Sequence, residues 1–267
     1  MIPLLLLIAI AIFIAWYFFG ARSKKRVNND VPEIDPRLLE ENVLFYTRLT
    51  AEGKIQFEQD LRYFLSHTRI TGVDTPADKL DKLLVASAAV IPIFYFTKWK
   101  YHNLREVLLY ADAINMEFET KGNSDRNILG LVGTGPFEGS MLLSKVALRQ
   151  GFSNQSDKRN TAIHEFVHLI DKSDGETDGL PDLLLDKQYV LPWLELMHKQ
   201  MQFIAKGKSD IDDYALTNKA EFLAVVAEYF FERPELLEEK HPALYKMLSD
   251  MFEVKEYNLG FQDGSRM

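Results

Sequence analysis

The sequence predicts an α+β fold, mostly helical, with a small mixed sheet, and three observations carry that prediction. Apolar residues recur at helical spacing, as in Leu44, Phe45 and Leu49, then Phe57, Leu61, Phe64 and Leu65. Only three runs, at residues 107–110, 128–133 and 140–144, are short, apolar and bounded by turn residues in the manner of strands. The chain has 267 residues, 47% hydrophobic and 12% aromatic, which suits one large domain or two joined subdomains around a sizeable core.

Residues 1–26 stand apart. Residues 2–19 form an unbroken apolar run that ends in Trp16, Tyr17, Phe18 and Phe19 and is followed by Arg22, Lys24, Lys25 and Arg26. As a helix this run rises about 27 Å, enough to cross a hydrocarbon core. Aromatic residues followed by basic ones match a membrane interface, and a basic flank stays inside. A cleaved signal peptide fits less well, because its positive charges would precede the apolar run. The segment therefore reads as a transmembrane helix, a single-pass anchor that leaves the rest of the chain in the cytoplasm. Residues 27–37, polar and carrying two prolines and two asparagines, read as a linker.

From residue 38 to about residue 69 the pattern is amphipathic helix, with a break expected at Gly53. Residues 71–76 (Thr-Gly-Val-Asp-Thr-Pro) read as a turn. Residues 78–90, rich in alanine and leucine, read as a core helix that ends before Pro92. The three strands then make a mixed sheet, one edge of which could hold an extended peptide by main-chain pairing. The glycines of Gly133-Thr134-Gly135-Pro136 invite a phosphate-loop reading, but no Gly-Lys-Ser/Thr follows and no dinucleotide fingerprint is present. Residues 189–204 and 218–231 are two further helices.

The net charge of −8 excludes a general nucleic-acid binder, since no basic excess is available for phosphates. The chain has no cysteine, so disulfides, thiolate metal ligands and a cysteine nucleophile are excluded. Any metal must be held by nitrogen and oxygen.

The chemistry concentrates in Thr161-Ala162-Ile163-His164-Glu165-Phe166-Val167-His168-Leu169-Ile170-Asp171, a His-Glu-x-x-His motif inside an apolar, helix-compatible stretch. Residues four apart share a helix face, so His164 and His168 can grip one zinc ion. Glu165 then lies beside the open coordination position, where it can take a proton from an activated water. Solvated surface histidines are the bland alternative. Ile163, Val167 and Ile170 argue against it, because they make an apolar stripe that should pack the helix, and buried imidazoles need partners. Asp171 follows His168 by three residues, close enough to orient a ligand histidine by a hydrogen bond. His67, His102, His198 and His241 read as ordinary packing or surface residues.

A catalytic zinc needs a third protein ligand. The apolar helix around residues 218–231 offers two carboxylates, Glu221 and Glu228, seven apart and on one face. Periodicity does not choose between them.

The block from His164 to Asp171, together with Ala220-Glu221-Phe222-Leu223-Ala224-Val225-Val226-Ala227-Glu228-Tyr229-Phe230-Phe231, resembles the Mlc titration factor A family of zinc-dependent peptidases. That family's active site is related to the catalytic domain of anthrax lethal factor. The resemblance spans roughly residues 38–252. It implies a zincin-like domain over residues 38–267, with a helical N-terminal part (38–100) and a catalytic part (101–255). It also implies Zn2+ held by His164, His168 and Glu221, with Glu165 as general base. Tyr214, seven residues before Glu221, matches the family tyrosine that supports the oxyanion, and Asp171 matches the aspartate after the second histidine. Aminopeptidase-type action on a peptide or protein substrate follows by analogy. A predicted membrane anchor departs from the soluble members. The rival reading is a regulatory module that captures a transcription repressor or membrane protein, with minor peptidase activity. A purely structural zinc is disfavoured, because structural sites are usually closed by four protein ligands.

Overall fold

A computed structural model describes residues 31–96, 98–113, 130–132, 138–154 and 157–253. The chain enters through two short helices, α1 (Pro36–Asn42) and α2 (Leu44–Thr47), and then α3 (Ala51–His67). The break before α3 falls at residues 48–50, ahead of Gly53. Thr50 caps the new helix by accepting from the Gly53 N–H at 3.2 Å, so Gly53 sits buried in the first turn.

Residues 69–73 form β1 (Arg69–Val73), where the sequence predicts a turn from Thr71. Pairing overrides the local turn chemistry. Strand β2 (Glu106–Tyr110) takes up the backbone from Arg69↔Glu106 to Val73↔Tyr110, and Thr71 Oγ1 donates to Glu106 Oε1 at 2.6 Å. The chain turns only at Asp74, whose φ is 55°. Helix α4 (Lys79–Val90) begins with a reciprocal capping box between Asp78 and Asp81 and is buried from Leu83 to Val90. Pro92 does not end the helical path abruptly, because residues 91–93 continue as a 3₁₀ turn.

The expectation of a small mixed sheet agrees with the structure. Its order is β1-β2-β4-β3, with β3 (Gly130–Val132) and β4 (Ser140–Ser144) completing it. Strands β1, β2 and β4 run parallel, and β3 lies antiparallel on β4 at the outer edge. The sequence reading leaves out α5 (Lys145–Ser153), which starts directly after β4 with Ser144 as its cap. Residues 128, 129 and 133–136, part of the predicted strand and turn region, lie outside the described residues.

Helix α6 (Thr161–Asp171) runs through the centre, packed by α4, α5, β3 and α8 (Lys219–Glu232). Helix α7 (Val190–Ala205) flanks α8, and α9 (Pro234–Lys240) and α10 (Pro242–Phe252) close the described chain, each with proline in its first turn. One continuous core joins Phe57 and Leu61 of α3, Leu83 of α4, Phe166 of α6, Trp193 of α7 and Phe222 of α8.

The predicted single-pass membrane location, with a cytoplasmic catalytic domain, is corrected. Among the described residues no helix is long and apolar enough to cross a membrane. The longest, α3, has 17 residues and carries charged groups along its length, such as Glu58, Asp60 and Arg62. Residues 1–26, where the sequence predicts the anchor, lie outside the described residues.

Candidate metal centre

The site is built where α6 crosses α8. Asn160 caps α6 by accepting from the Ile163 N–H at 3.2 Å, and Ala162, Ile163, Phe166, Val167 and Ile170 bury the helix in the core. His164 and Glu165 are carried into the interior with them, while His168 lies half-buried. Asn218 caps α8 by accepting from the Glu221 N–H at 2.9 Å, which places Glu221 in the first turn facing α6.

Three of the predicted ligand residues come together. His164 Nε2 lies 2.9 Å from Glu221 Oε2 and 3.1 Å from His168 Nε2, and His168 Nε2 lies 3.3 Å from the same Glu221 oxygen. These atoms close a triangle that one ion can cap. Four-coordinate zinc with bonds of about 2.0–2.1 Å has donor–donor edges of about 3.3 Å, so the triangle fits one face of that tetrahedron to within a few tenths. Among the described residues, this is the group of His, Asp and Glu side chains suited to holding a metal.

Glu228 stands behind the triangle. Its Oε1 is 2.6 Å from His164 Nδ1, and its Oε2 accepts from the Asn160 N–H at 2.6 Å. The Asn160 side-chain amide in turn donates to Glu232 Oε1 at 2.9 Å. The two carboxylates that periodicity could not separate are placed differently: Glu221 meets the Nε2 atoms of both histidines, and Glu228 holds the far side of one imidazole. Asp171 is placed differently from that role. Both its oxygens accept from the Gly179 N–H, at 2.9 and 3.1 Å, and the buried His168 Nδ1 has no hydrogen-bond partner. Gly179 needs its positive φ of 77° and its lack of a side chain there, because a Cβ would fall 2.5 Å from the Lys219 carbonyl oxygen. The Gly179 carbonyl accepts from Trp193 Nε1 at 2.8 Å, so Asp171 ties the end of α6 to the start of α8 and to α7.

Strand β3 passes directly over Glu165. A Cβ on Gly130 would fall 2.5 Å from Glu165 Cγ and 2.6 Å from Oε1, so only glycine lets the strand lie this close. Sequence reading missed this contact, although an isolated glycine in a strand is its signal. Tyr214 lies in a 3₁₀ turn (Asp213–Leu216) against α8, 54% exposed, its ring 6.0 Å from that of His164. Asp212 caps that turn by accepting from the Tyr214 N–H at 3.0 Å and pairs with Arg159, just ahead of α6. Asp210, on the same segment, gathers Lys158 at 2.6 Å, Tyr229 at 2.9 Å, Lys240 at 3.0 Å and His241 at 2.8 Å. The tyrosine turn is thus fastened to the entry of α6 by two neighbouring ion pairs. His241 belongs to that fastening, and His67, His102 and His198 lie away from the triangle on exposed surface.

The electrostatics follow from burial among carboxylates. Burial alone would lower the His164 pKa, but Glu221 and Glu228 outweigh it and push it up to about 10. For Glu221 burial acts upward, yet its hydrogen bonds to His164 and His168 hold it down at about 2. Glu165 is raised, chiefly by burial. Tyr214 is raised by burial and by the surrounding carboxylates, and Asp171 is raised to about 6 by burial.

The family model of the glucose-regulated metallo-peptidases M90 matches residues 19–253. An uncharacterized protein of Synechocystis sp. is 24% identical over 264 residues, covering 93% of this chain and 96% of the relative. The Mlc titration factor A of Escherichia fergusonii is 26% identical over 221 residues, covering 76% of this chain and 80% of the relative. That of Pectobacterium atrosepticum is 29% identical over 161 residues, covering 55% and 58%.

Proposed function

Because the chain belongs to the glucose-regulated metallo-peptidase M90 family, we propose that it is a zinc-dependent peptidase acting on short peptides or protein termini. The observation that carries the reading is the convergence of His164, His168 and Glu221 on one point, with Glu165 on the next position of the same helix. A donor set of two imidazoles and one carboxylate, with no thiolate, is that of a catalytic zinc with an open position. When bound, the ion supplies Lewis-acid polarisation of a water and of the scissile carbonyl. The Glu165 carboxylate takes the proton that the attacking water sheds and returns it to the leaving amine nitrogen. Burial raises the pKa of that carboxyl, which makes its carboxylate a stronger base than a solvated one. The Tyr214 phenol keeps its proton and donates a hydrogen bond to the oxygen that becomes negative. Glu228 accepts from His164 Nδ1, which turns the lone pair of Nε2 toward the metal position.

Metal analysis of the wild type beside Glu221→Ala, combined with peptide turnover by Glu165→Gln, tests this reading. The wild type and Glu165→Gln should carry stoichiometric zinc, and Glu221→Ala should lose it. Glu165→Gln should lose about 10²–10⁴-fold in kcat, the usual share of a positioned general base. Parent-like turnover by Glu165→Gln would remove the assignment of the base. Two of the relatives carry the name Mlc titration factor A, which supports a second reading as a module that captures a transcription regulator. A pull-down of such a regulator by zinc-free protein separates the two: capture undiminished without metal favours the module.

A further inference from the structure

Along the last turn of α6 and the end of β3 lies a cavity of about 320 Å³ that the proposed chemistry does not use. Its position follows from two elements already in the site. Leu169 and Lys172, at the end of α6, line it, and Leu169 is the neighbour of His168. Val132 of β3 also lines it, two residues beyond Gly130, which lies against Glu165. Two residues of strand advance about 7 Å, so an extended peptide that follows β3 past Glu165 brings a side chain to the cavity within two residues. Strand β3 is at the outer edge of the sheet, and Leu131 is 38% exposed along it.

The chemistry of the wall names the occupant. Trp99, Tyr101, Val132 and Leu169 are half-buried apolar residues packed on the core, and Leu104 closes the floor fully buried. Tyr101 directs its hydroxyl away into the core, donating to the Ala89 carbonyl at 2.8 Å, and presents its ring. Trp99 stands edge-on to that ring at 4.7 Å. The charge of Lys100 is already matched by Asp60 at 2.9 Å. The exposed polar residues, His102 and Glu138 among them, lie at the mouth. The volume reaches the range of about 300–1,000 Å³ typical of pockets that enclose a small ligand, ample for one large side chain.

We propose that this cavity is the specificity pocket of the peptidase and that it selects a large apolar or aromatic side chain of the substrate. The proposal rests on the peptidase reading above, and its test uses binding so that the two can fail separately. The probes are alanine pentapeptides with free termini, carrying a single Phe, Leu, Asp or Lys moved through each position. They are titrated into zinc-loaded Glu165→Gln protein, which binds without turning over, and Trp99 emission reports occupancy. At one position Phe and Leu bind at least about tenfold tighter than alanine, in keeping with the discrimination an apolar pocket gives. The emission change disappears in Trp99→Phe, while that variant still binds the peptide by calorimetry. Val132→Phe, which narrows the cavity, brings the Phe-to-Ala ratio close to one, and zinc content checks its fold. Equal affinity for Phe and Ala at every position, tightest binding of the Asp peptides, or a preference unmoved by Val132→Phe each overturns the pocket. The wild-type enzyme's failure to cleave the tightest binder would instead count against the peptidase reading and leave the binding result standing.

Discussion

The α3–α4 pair and the α6–α8 pair are buried in the same core, yet they bury opposite kinds of group. Phe57 and Leu61 of α3 meet Leu83 and its neighbours of α4, all essentially inaccessible. The one buried charge there, Asp81, sits at the helix start and is matched by Lys145 and Arg149 at 2.8 Å each. The α6–α8 pair buries His164, Glu165, Asn160 and Glu228 among Phe166, Val167, Phe222 and Val226. Apolar burial stabilises on its own, whereas buried polar groups are tolerated only when hydrogen-bonded or paired. The first pair therefore specifies stability, and the second holds chemistry in place at some cost to stability. That contrast can be broken from either side.

The largest effect is expected on the apolar side. Phe57→Ala removes a fully buried ring that packs on Phe45, Tyr46 and Phe94. Truncations of this kind cost about 3–5 kcal/mol. Denaturant unfolding should show that loss, while zinc content per folded molecule stays at the wild-type level. A variant that keeps its stability and loses its metal would erase the distinction between the two regions. On the polar side, Glu228→Ala should leave zinc binding weakened by about 10–100-fold, the usual effect of removing the group that orients a ligand histidine. Competition against a chromophoric chelator measures it. Wild-type affinity in that variant would show that the 2.6 Å contact with His164 Nδ1 does not tune the metal.

The same contrast explains how much was legible in the sequence. Helix α6 announces itself by the apolar stripe of Ile163, Val167 and Ile170, and α4 by its run of alanine and leucine. The pairing of His164 with His168 was legible because ligand spacing on a helix is a local property, whereas Glu221 was singled out from Glu228 only by the family resemblance. Strand β1 was not, since Thr71-Gly72 is turn-like until β2 pairs with it. The separate tasks of Glu221 and Glu228 depend on how α8 crosses α6, a tertiary fact that seven-residue spacing only narrows. The close approach of Gly130 to Glu165 joins residues far apart in sequence, and an isolated glycine marks one end of such a contact without naming the other.

The smallest effect tests the cost side of the polar pair directly. Glu232 ends α8 half-buried, accepting from the Asn160 amide at 2.9 Å, and burial raises its pKa to about 7. In the unfolded chain the same carboxyl ionises at its ordinary value of 4.5. Between those values the folded state binds more protons than the unfolded one, so stability falls as pH rises, and above about pH 7 the penalty is complete. Glu232→Gln removes the titration while leaving an oxygen for Asn160. It should therefore stabilise the protein at pH 8 more than at pH 5, by about 1–2 kcal/mol once the residue's partial exposure is allowed for. Urea unfolding of the variant and parent at both pH values measures the difference. An equal effect at the two pH values would place the cost elsewhere in the network, and a larger gain at pH 5 would reverse its sign. The expected result would show that the layer of carboxylates behind His164 is kept against the preference of the fold, in a way that nothing in the α3–α4 pair requires.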